Sequence, residues 1–298
     1  MDSNGTVQLV ISDARGQGLR ELTRPAEGVR DIEASISPDG RLVAFERDYL
    51  DRTQIYIVGT NGRGEREVPI ECTDPCTGPQ IPAWTPDGRH IAFTLVVGPF
   101  DLVNDSARSA VLWVTDLNGK NPTRLSEPGI DGTLEDYKAS FAPDGYIVVN
   151  RVRNADVKHA AFRMNRDGTH VRQLTPWEVG ADGAQVSPAT SGPTHNMVVF
   201  ATEQDGAQPA VATTSAAPRS VGDGFPRISY LTSTTLPNQQ NFGPTWSPDG
   251  RQIAFARFDL EPTPDVDIWT MRWNGKQPEQ VSQSAQPEFS PAWGIGRS

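Results

Sequence analysis

The sequence predicts an all-β fold, a β-propeller of six four-stranded blades, and three observations indicate it. A Pro-Asp-Gly motif followed by an apolar segment recurs along the chain, further strand patterns follow it in the same order, and the units repeat about every fifty residues. The 27 glycines and 25 prolines are too many for long helices and suit short strands joined by turns. We therefore expect one domain over residues 1–298.

The Pro-Asp-Gly turn joins the first and second strands of each unit. Its copies are SPDGRLVAF at 37–45, TPDGRHIAF at 85–93, SPDGRQIAF at 247–255, the shorter APDGYIVV at 142–149 and a degenerate form at 187–200. Proline presets φ for a turn, the Asp side chain accepts backbone amides ahead of it, and glycine tolerates positive φ. We count SPAWGIGRS at 290–298 as a sixth copy, with Pro291 aligned to Pro38.

Third and fourth strands follow each motif. Asn-Gly or Asp-Gly after the third strand predicts type I′ hairpins, which need positive φ at both turn residues. The fourth strands are RELT at 20–23, REVP at 66–69, TRLS at 123–126, RQLT at 172–175, YLT at 230–232 and QVS at 280–282. The N-terminus supplies a third and a fourth strand and the C-terminus a first strand, PEFSP at 287–291. Together they predict a sixth blade that closes the ring between the two ends.

The most regular copies carry a tryptophan before the turn and read W-[ST]-P-D-G-R-x-I-A-F. The matching positions are Trp84, Pro86, Asp87, Gly88, Trp246, Pro248, Asp249 and Gly250. With the I-[YW] strand, the N-G turn and the R-x-L-T strand, this pattern resembles the TolB-type propeller repeat over essentially the whole chain. The resemblance implies a six-bladed β-propeller and a periplasmic binding protein that docks a partner on its propeller face. TolB proteins also carry an N-terminal α/β domain, for which we find no counterpart in the sequence.

Composition and motifs exclude several function classes. The chain has 27 basic and 37 acidic residues, a net charge of −10 and no Lys/Arg run, which argues against nucleic-acid binding. No apolar run approaches the roughly eighteen residues of a membrane helix, and the first residues lack signal-peptide features. The sequence has no G-x-S-x-G nucleophile motif and no two histidines at a short metal-binding spacing. We expect a monomer without a cofactor.

Polar residues at the entries to the first strands predict a hydrated channel mouth that binds a ligand. These residues are Glu33, Gln80, Lys138, Gln185, Asn241 and Glu288. Only Glu33 and Glu288 are carboxylates, and an acid–base mechanism would need them close together with separated pKa values.

Two insertions between second and third strands, 98–110 and 258–267, predict an acidic loop face. Its carboxylates include Asp101, Asp105, Asp259, Glu261 and Asp265. Such a face would dock a basic partner or hold Ca²⁺, which favours clustered carboxylate and carbonyl oxygens. The alternative is ordinary solvated loop polarity.

Cys72 and Cys76 are the only cysteines. A disulfide between them would imply an oxidising compartment, and two free thiols are the alternative. With the TolB resemblance, the disulfide favours a bacterial protein that is periplasmic or secreted.

One register before the turns is aromatic or aliphatic in every unit. It holds Trp84, Phe141, Trp246 and Phe289, with Ile36 and Val186 in the remaining two units. A feature common to all repeats is best explained by packing between blades, the alternative being an aromatic cage for a ligand.

These observations predict a non-catalytic binding or scaffolding module that recognises a protein segment or a small ligand at the channel mouth and loop face. The alternative is a propeller enzyme, a lyase or hydrolase acting on a saccharide, with a metal held in the channel. Fold class alone does not separate the two.

Overall fold

The computed structural model describes residues 5–73, 76–97, 109–127, 133–203, 206–219, 224–261, 264–282 and 286–296. Short antiparallel strands dominate these residues, with a 3₁₀ turn at Trp177–Val179. None of the helical residues described belongs to a segment with the length and apolar content that a membrane crossing takes.

Five sheets have four strands each, and strands that are neighbours in sequence are neighbours in the sheet. The first two are β3 (Arg30–Ile36), β4 (Leu42–Asp48), β5 (Thr53–Gly59) and β6 (Arg66–Glu67), then β7 (Cys76–Trp84), β8 (His90–Val97), β9 (Ser109–Asp116) and β10 (Thr123–Arg124). The third is β11 (Leu134–Phe141), β12 (Tyr146–Arg153), β13 (Lys158–Asn165) and β14 (Arg172–Gln173). The last two are β15 (Ala181–Val186), β16 (Met197–Thr202), β17 (Ala210–Ser215) and β18 (Ser229–Tyr230), then β19 (Gln239–Trp246), β20 (Gln252–Asp259), β21 (Asp265–Arg272) and β22 (Glu279–Gln280).

The chain divides into two compact units. The first runs to Ala139 and includes Gly294–Gly296, and the second runs from Ser140 to Trp293. One domain over residues 1–298 stays a prediction.

The number of blades differs from the prediction, because the described residues form five four-stranded sheets rather than six. At the N-terminus, β1 (Val10–Ile11) and β2 (Arg20–Glu21) form a two-stranded sheet. Residues 287–291, predicted as the first strand of a shared blade, form no strand. First and third strands lie two strand spacings apart, so no ladder joins them unless a second strand lies between. The described residues supply none.

The hairpins between third and fourth strands also differ from the prediction. Gly62 has φ of 77°, but Asn61 before it does not have positive φ, so the turn is not type I′. Gly62 N donates to Gly59 O at 2.8 Å and Gly59 N to Arg63 O at 2.8 Å, the pattern of a type I turn followed by a left-handed glycine. The same pair of bonds recurs at Gly119, Gly168 and Gly275.

The Pro-Asp-Gly turns use their aspartates as predicted from turn chemistry. Asp87 Oδ1 accepts the hydroxyl of Thr85 at 2.6 Å and the backbone N–H of Arg89 at 3.0 Å. These two bonds lower the pKa of Asp87, because both favour the ionised carboxylate. Asp144 has Ala142 two residues before it, where Asp87 has the hydroxyl of Thr85, and its carboxylate pairs instead with His195 Nε2 at 2.7 Å.

Tryptophans bind adjacent sheets together within each unit. Trp84 is 7% exposed and its indole N–H donates to the backbone oxygen of Ser35 at 3.0 Å. Trp246 is 4% exposed and donates in the same way to the backbone oxygen of Gln185 at 3.0 Å. Both rings belong to apolar clusters that join one sheet to the next. The predicted packing role of this register is therefore confirmed for Trp84 and Trp246.

We predict that Trp246→Phe lowers the free energy of unfolding by about 1–3 kcal/mol, because the carbonyl of Gln185 loses its donor. Urea denaturation measures the change. Trp273→Phe is the matched control, since Trp273 packs at the margin of the same cluster and its indole donates no hydrogen bond to a described residue. Equal losses in the two variants would contradict the assigned bond.

Candidate functional site

A left-handed residue occupies the same position in all six repeats, within the first strand of the five four-stranded sheets and at the corresponding place near the C-terminus. The residues concerned are Glu33, Ile81, Lys138, Gly183, Gly243 and Ser290, with φ between 48° and 63°. In four sheets the register of the first-strand ladder shifts at this point, which marks a β-bulge. A bulge bends the strand and re-aims its side chains. It therefore provides a common reference position for the six repeats.

This reference corrects the alignment of the sixth motif. Ser290 takes the bulge position, so Trp293, three residues later, corresponds to Trp84 and Trp246. Phe289 and Pro291 flank the bulge and do not align with the tryptophans or with Pro38, as the sequence comparison assumed. The missing Pro-Asp-Gly turn after Trp293 explains the error, because the prediction aligned prolines.

The six residues predicted to form one mouth do not share one position. Glu33 and Lys138 lie at the bulge, Gln80 lies one residue before it, Asn241 and Glu288 two before it, and Gln185 two after it. Asn241 is fully buried and its side-chain oxygen accepts from Arg257 Nε at 3.1 Å. The side-chain oxygen of Gln185 accepts from the Thr245 hydroxyl at 3.0 Å. Alternation of polar and apolar residues cannot reveal where a bulge adds a residue, which is why the predicted positions diverge.

The two bulge residues with charged side chains meet in the first unit. Lys138 Nζ lies 3.1 Å from Glu33 Oε2 although 105 residues separate them, and each side chain is about one-quarter exposed. Glu33 and Lys138 are the two predicted mouth residues that the structure brings together. Their left-handed backbone is unusual for residues with side chains and indicates a position where the conformation itself matters.

Beside this pair lies a buried carboxyl that the sequence analysis missed. Glu46 is 5% exposed, and its Oε2 accepts the backbone N–H of Ile81 at 3.0 Å. Burial raises the pKa of Glu46 to about 8, the bond from Ile81 opposes the shift, and the nearby charges of Glu33 and Asp48 add to it. Glu46 therefore keeps its proton at neutral pH and adds no charge. The available signal was a glutamate directly after the apolar run, where the other units have an uncharged residue, such as Thr94 or Ala256.

A second missed feature is an arginine one residue later. Arg47 binds both oxygens of the buried Asp31, at 2.7 and 2.9 Å, and its guanidinium lies 4.4 Å from the ring centroid of Tyr56. In the second unit, Arg257 binds Asn241 and lies 4.1 Å from the ring centroid of Trp269. Bidentate pairing and stacking on a ring compensate for the removal of the charge from water. These arginines hold the first strand to the second and third strands.

In the second unit a small open cleft lies beside β13 and the 3₁₀ turn. It is lined by Asp156, Val157, Lys158, His159, Trp177, Glu178, Gly180 and Glu203. Gly180 has φ of 60°, and a Cβ there would lie 2.6 Å from the backbone oxygen of Glu203, so only glycine fits this rim. The cleft therefore has a defined wall.

Two titratable groups in this cleft have shifted pKa values. The neighbouring Asp182 carboxylate, 3.5 Å from His159 Nδ1, raises the pKa of His159, and burial opposes that shift. Burial raises the pKa of Glu203, and the charge of Asp182 adds to the effect. An imidazole and a carboxylic acid whose pKa values are both raised by their surroundings are groups suited to proton transfer.

The predicted loop face is described in part. Asp101 and Asp105 lie outside the described residues, and Asp259 and Asp265 face each other across β20 and β21. Asp259 Oδ1 accepts from Gln239 Nε2 at 3.1 Å, and Asp265 Oδ1 accepts its neighbour's N–H at 2.9 Å. Glu261 is exposed. Across the described ranges no three His, Cys, Asp or Glu side chains converge as a metal site requires. The acidic face stays a prediction.

Cys72 and Cys76 form a disulfide in the structure, with their Cα atoms 6.0 Å apart. Cys76 opens β7, so the bridge ties the start of that strand to the segment before it.

Comparison with known proteins shows the fold. The chain superposes on TolB from Acinetobacter baumannii with a TM-score of 0.69 and 19% identity, over 96% of this chain and 62% of that one. An oligogalacturonate lyase solved in complex with manganese gives a TM-score of 0.56 and 12% identity, over 93% of this chain and 72% of the lyase. The fold is thus a β-propeller of four-stranded blades, similar to that of TolB. At these identities the likeness concerns the fold alone.

Sequence relatives add little. An uncharacterized peptidase of Bacillus subtilis strain 168, YuxL, is 35% identical over 81 residues. The match covers 27% of this chain and 12% of the peptidase, so the chain spans a small part of the curated relative. No family model matches the sequence.

We predict that Glu46 makes stability fall with rising pH. The carboxyl ionises near 4.5 in the unfolded chain and near 8 in the folded one, so unfolding releases a proton between these values. The free energy of unfolding should therefore fall from about pH 4.5 to about pH 8 by at most roughly 1.4 kcal/mol per pH unit.

Glu46→Gln keeps an acceptor for Ile81 N–H and should remove this slope in urea denaturation at a series of pH values. Glu67→Gln is the control, because it makes the same replacement of a carboxyl by an amide at a less buried position. Glu67 lies on the outer strand β6 and accepts a hydrogen bond from Gln54 Nε2. A slope that persists in Glu46→Gln would contradict the assignment.

Proposed function

We propose that this protein is a non-catalytic binding or scaffolding propeller that recognises a segment of a partner protein, or a small ligand, through the Glu33–Lys138 pair. The observation that carries the proposal is that two oppositely charged side chains, both on residues with left-handed backbone, meet at one-quarter exposure. Such a pair offers an acceptor and a donor to a polar segment. The protonated Glu46 beside it keeps the patch from becoming strongly acidic.

The proposal includes a location outside the cytoplasm of a bacterium and a monomeric state. The Cys72–Cys76 disulfide supports an oxidising compartment. The resemblance of the repeat to the TolB type, which implies docking of a partner on the propeller face, supports a partner-binding role by analogy. The loop face carrying Asp259 and Asp265 would offer carboxylates to a basic partner.

Affinity capture from a bacterial envelope extract, with mass spectrometry as readout, tests the proposal. Glu33→Gln with Lys138→Met neutralises the pair at nearly constant size and should lose the partner that the native protein captures. Asp51→Asn with Arg52→Gln neutralises an exposed pair of the same charges, 3.5 Å apart, and should retain the partner. If both double variants capture the same proteins as the native chain, the pair is not the binding site.

An enzyme is the second candidate, and the cleft in the second unit is the observation that favours it. His159, Asp182 and Glu203 combine two groups suited to proton transfer with a defined wall. The oligogalacturonate lyase with the same fold suggests uronate-containing oligosaccharides as the first substrates to offer.

For this candidate we expect His159→Gln to abolish turnover and Glu33→Gln with Lys138→Met to leave it unchanged. Product formation from uronate-containing and neutral oligosaccharides, measured with and without added divalent metal, checks the expectation. Absence of turnover by the native protein on the whole panel, together with partner capture, would exclude this candidate.

A further inference from the structure

The N-terminal sheet has two strands, whereas the five other sheets have four. In the order of motifs, β1 is a third strand and β2 is a fourth strand, because the turn and the RELT segment follow β1. In the five other sheets, the third strand pairs on its other side with a second strand of six to eight residues. Within the described part of the chain, no strand takes that position beside β1.

The backbone of β1 leaves this side open. Leu22 N donates to Leu9 O at 2.8 Å, and Ile11 lies opposite Arg20, so Leu9 and Ile11 direct their backbone groups to β2. Alternate residues of an antiparallel strand point their N–H and C=O groups to opposite sides. Gln8 and Val10 therefore direct theirs away from β2, and no described residue forms a backbone hydrogen bond with them. An unpaired edge of this kind is a template for another strand.

The apolar cluster under this sheet lacks the contribution that a second strand makes elsewhere. In the clusters around Trp84 and Trp246, the preceding sheet supplies a fully buried second-strand residue, Ala44 or Val199. In the cluster around Phe45, the N-terminal sheet supplies Ile11 of β1 together with Leu9 and Leu22, which adjoin β1 and β2. Leu9 and Ile11 stay partly exposed. A strand added beside β1 would bring the missing side chain to this cluster.

We propose that the open edge of β1 is a β-strand acceptor site that binds an extended segment of a partner protein. The segment would pair antiparallel with residues 8–12 and would carry a short apolar run like that of the chain's own second strands, such as the buried residues 253–256 of β20. Backbone hydrogen bonds give affinity in this mode, and alternate side chains give specificity. The site does not involve Glu33 or Lys138, so it is independent of the function proposed above.

The test uses the full chain and a fluorescently labelled peptide of residues 251–259, RQIAFARFD, which is a second strand of this protein. We expect saturable binding by fluorescence anisotropy and slower amide hydrogen exchange at Gln8 and Val10 in the complex. Val10→Pro removes the N–H that points to the open side and leaves the amides of Leu9 and Ile11 in place. It should weaken binding about fivefold or more. Val10→Ala keeps the N–H and should bind within about twofold of the native protein.

A peptide with proline at the position of Ala256 is the ligand-side control and should not bind. The proposal is overturned if the native protein shows no saturable binding, if Val10→Pro binds as tightly as Val10→Ala, or if the exchange protection falls on residues other than 8–12. Should Val10→Pro fail to fold, judged by circular dichroism, the exchange experiment on the native protein decides alone.

Discussion

The need of each small sheet to bury its faces against a neighbouring sheet is the constraint from which the rest of this structure follows. Four short strands cannot enclose a core, so the apolar side chains of one sheet must pack on the next. Trp84 and Trp246 meet this need identically in the two units, each covering the first strand of the preceding sheet and bonding its carbonyl. Because the same bond recurs in separate units, it belongs to the repeat. The tryptophan positions repeated in these motifs thus serve packing between sheets and not ligand binding.

The repeats differ from one another in the residue at the left-handed position of the first strand. All six copies adopt a left-handed conformation at this position, yet glycine occupies it only at Gly183 and Gly243. The cost of this conformation for other residues is of order 1–3 kcal/mol, so the surrounding sheet must hold it in place. Glu33 and Lys138 both adopt this unfavourable conformation, and their side chains form an ion pair. Their pairing depends on the bulge, because a regular strand would direct these side chains elsewhere.

Charged groups in this fold divide by burial into two kinds. Arg47 and Asp31 are buried and satisfied by each other, which makes them part of the framework. The Glu33–Lys138 pair and the cleft groups His159 and Glu203 retain contact with solvent, which makes them available to a ligand. This difference separates binding and catalytic candidates from structural ones. The two candidates lie in different units and use different chemistry, so variants in one leave the other intact.

The sequence by itself determined the all-β class, the four-stranded repeat, the order of strands and the turn role of Asp87. These are properties of local patterns, since proline, glycine and alternating apolar residues constrain the backbone within a few residues. Only the tertiary structure decided the bulge register, the burial of Glu46 and Asn241, the Glu33–Lys138 contact and the edge of β1 that no described strand pairs with. A bulge adds a residue without a sequence mark, and burial and long-range contacts depend on packing between segments far apart in the chain. For this reason the sequence predicts the repeat, whereas the burial and contacts of the residues that distinguish one copy from another could not be predicted from it.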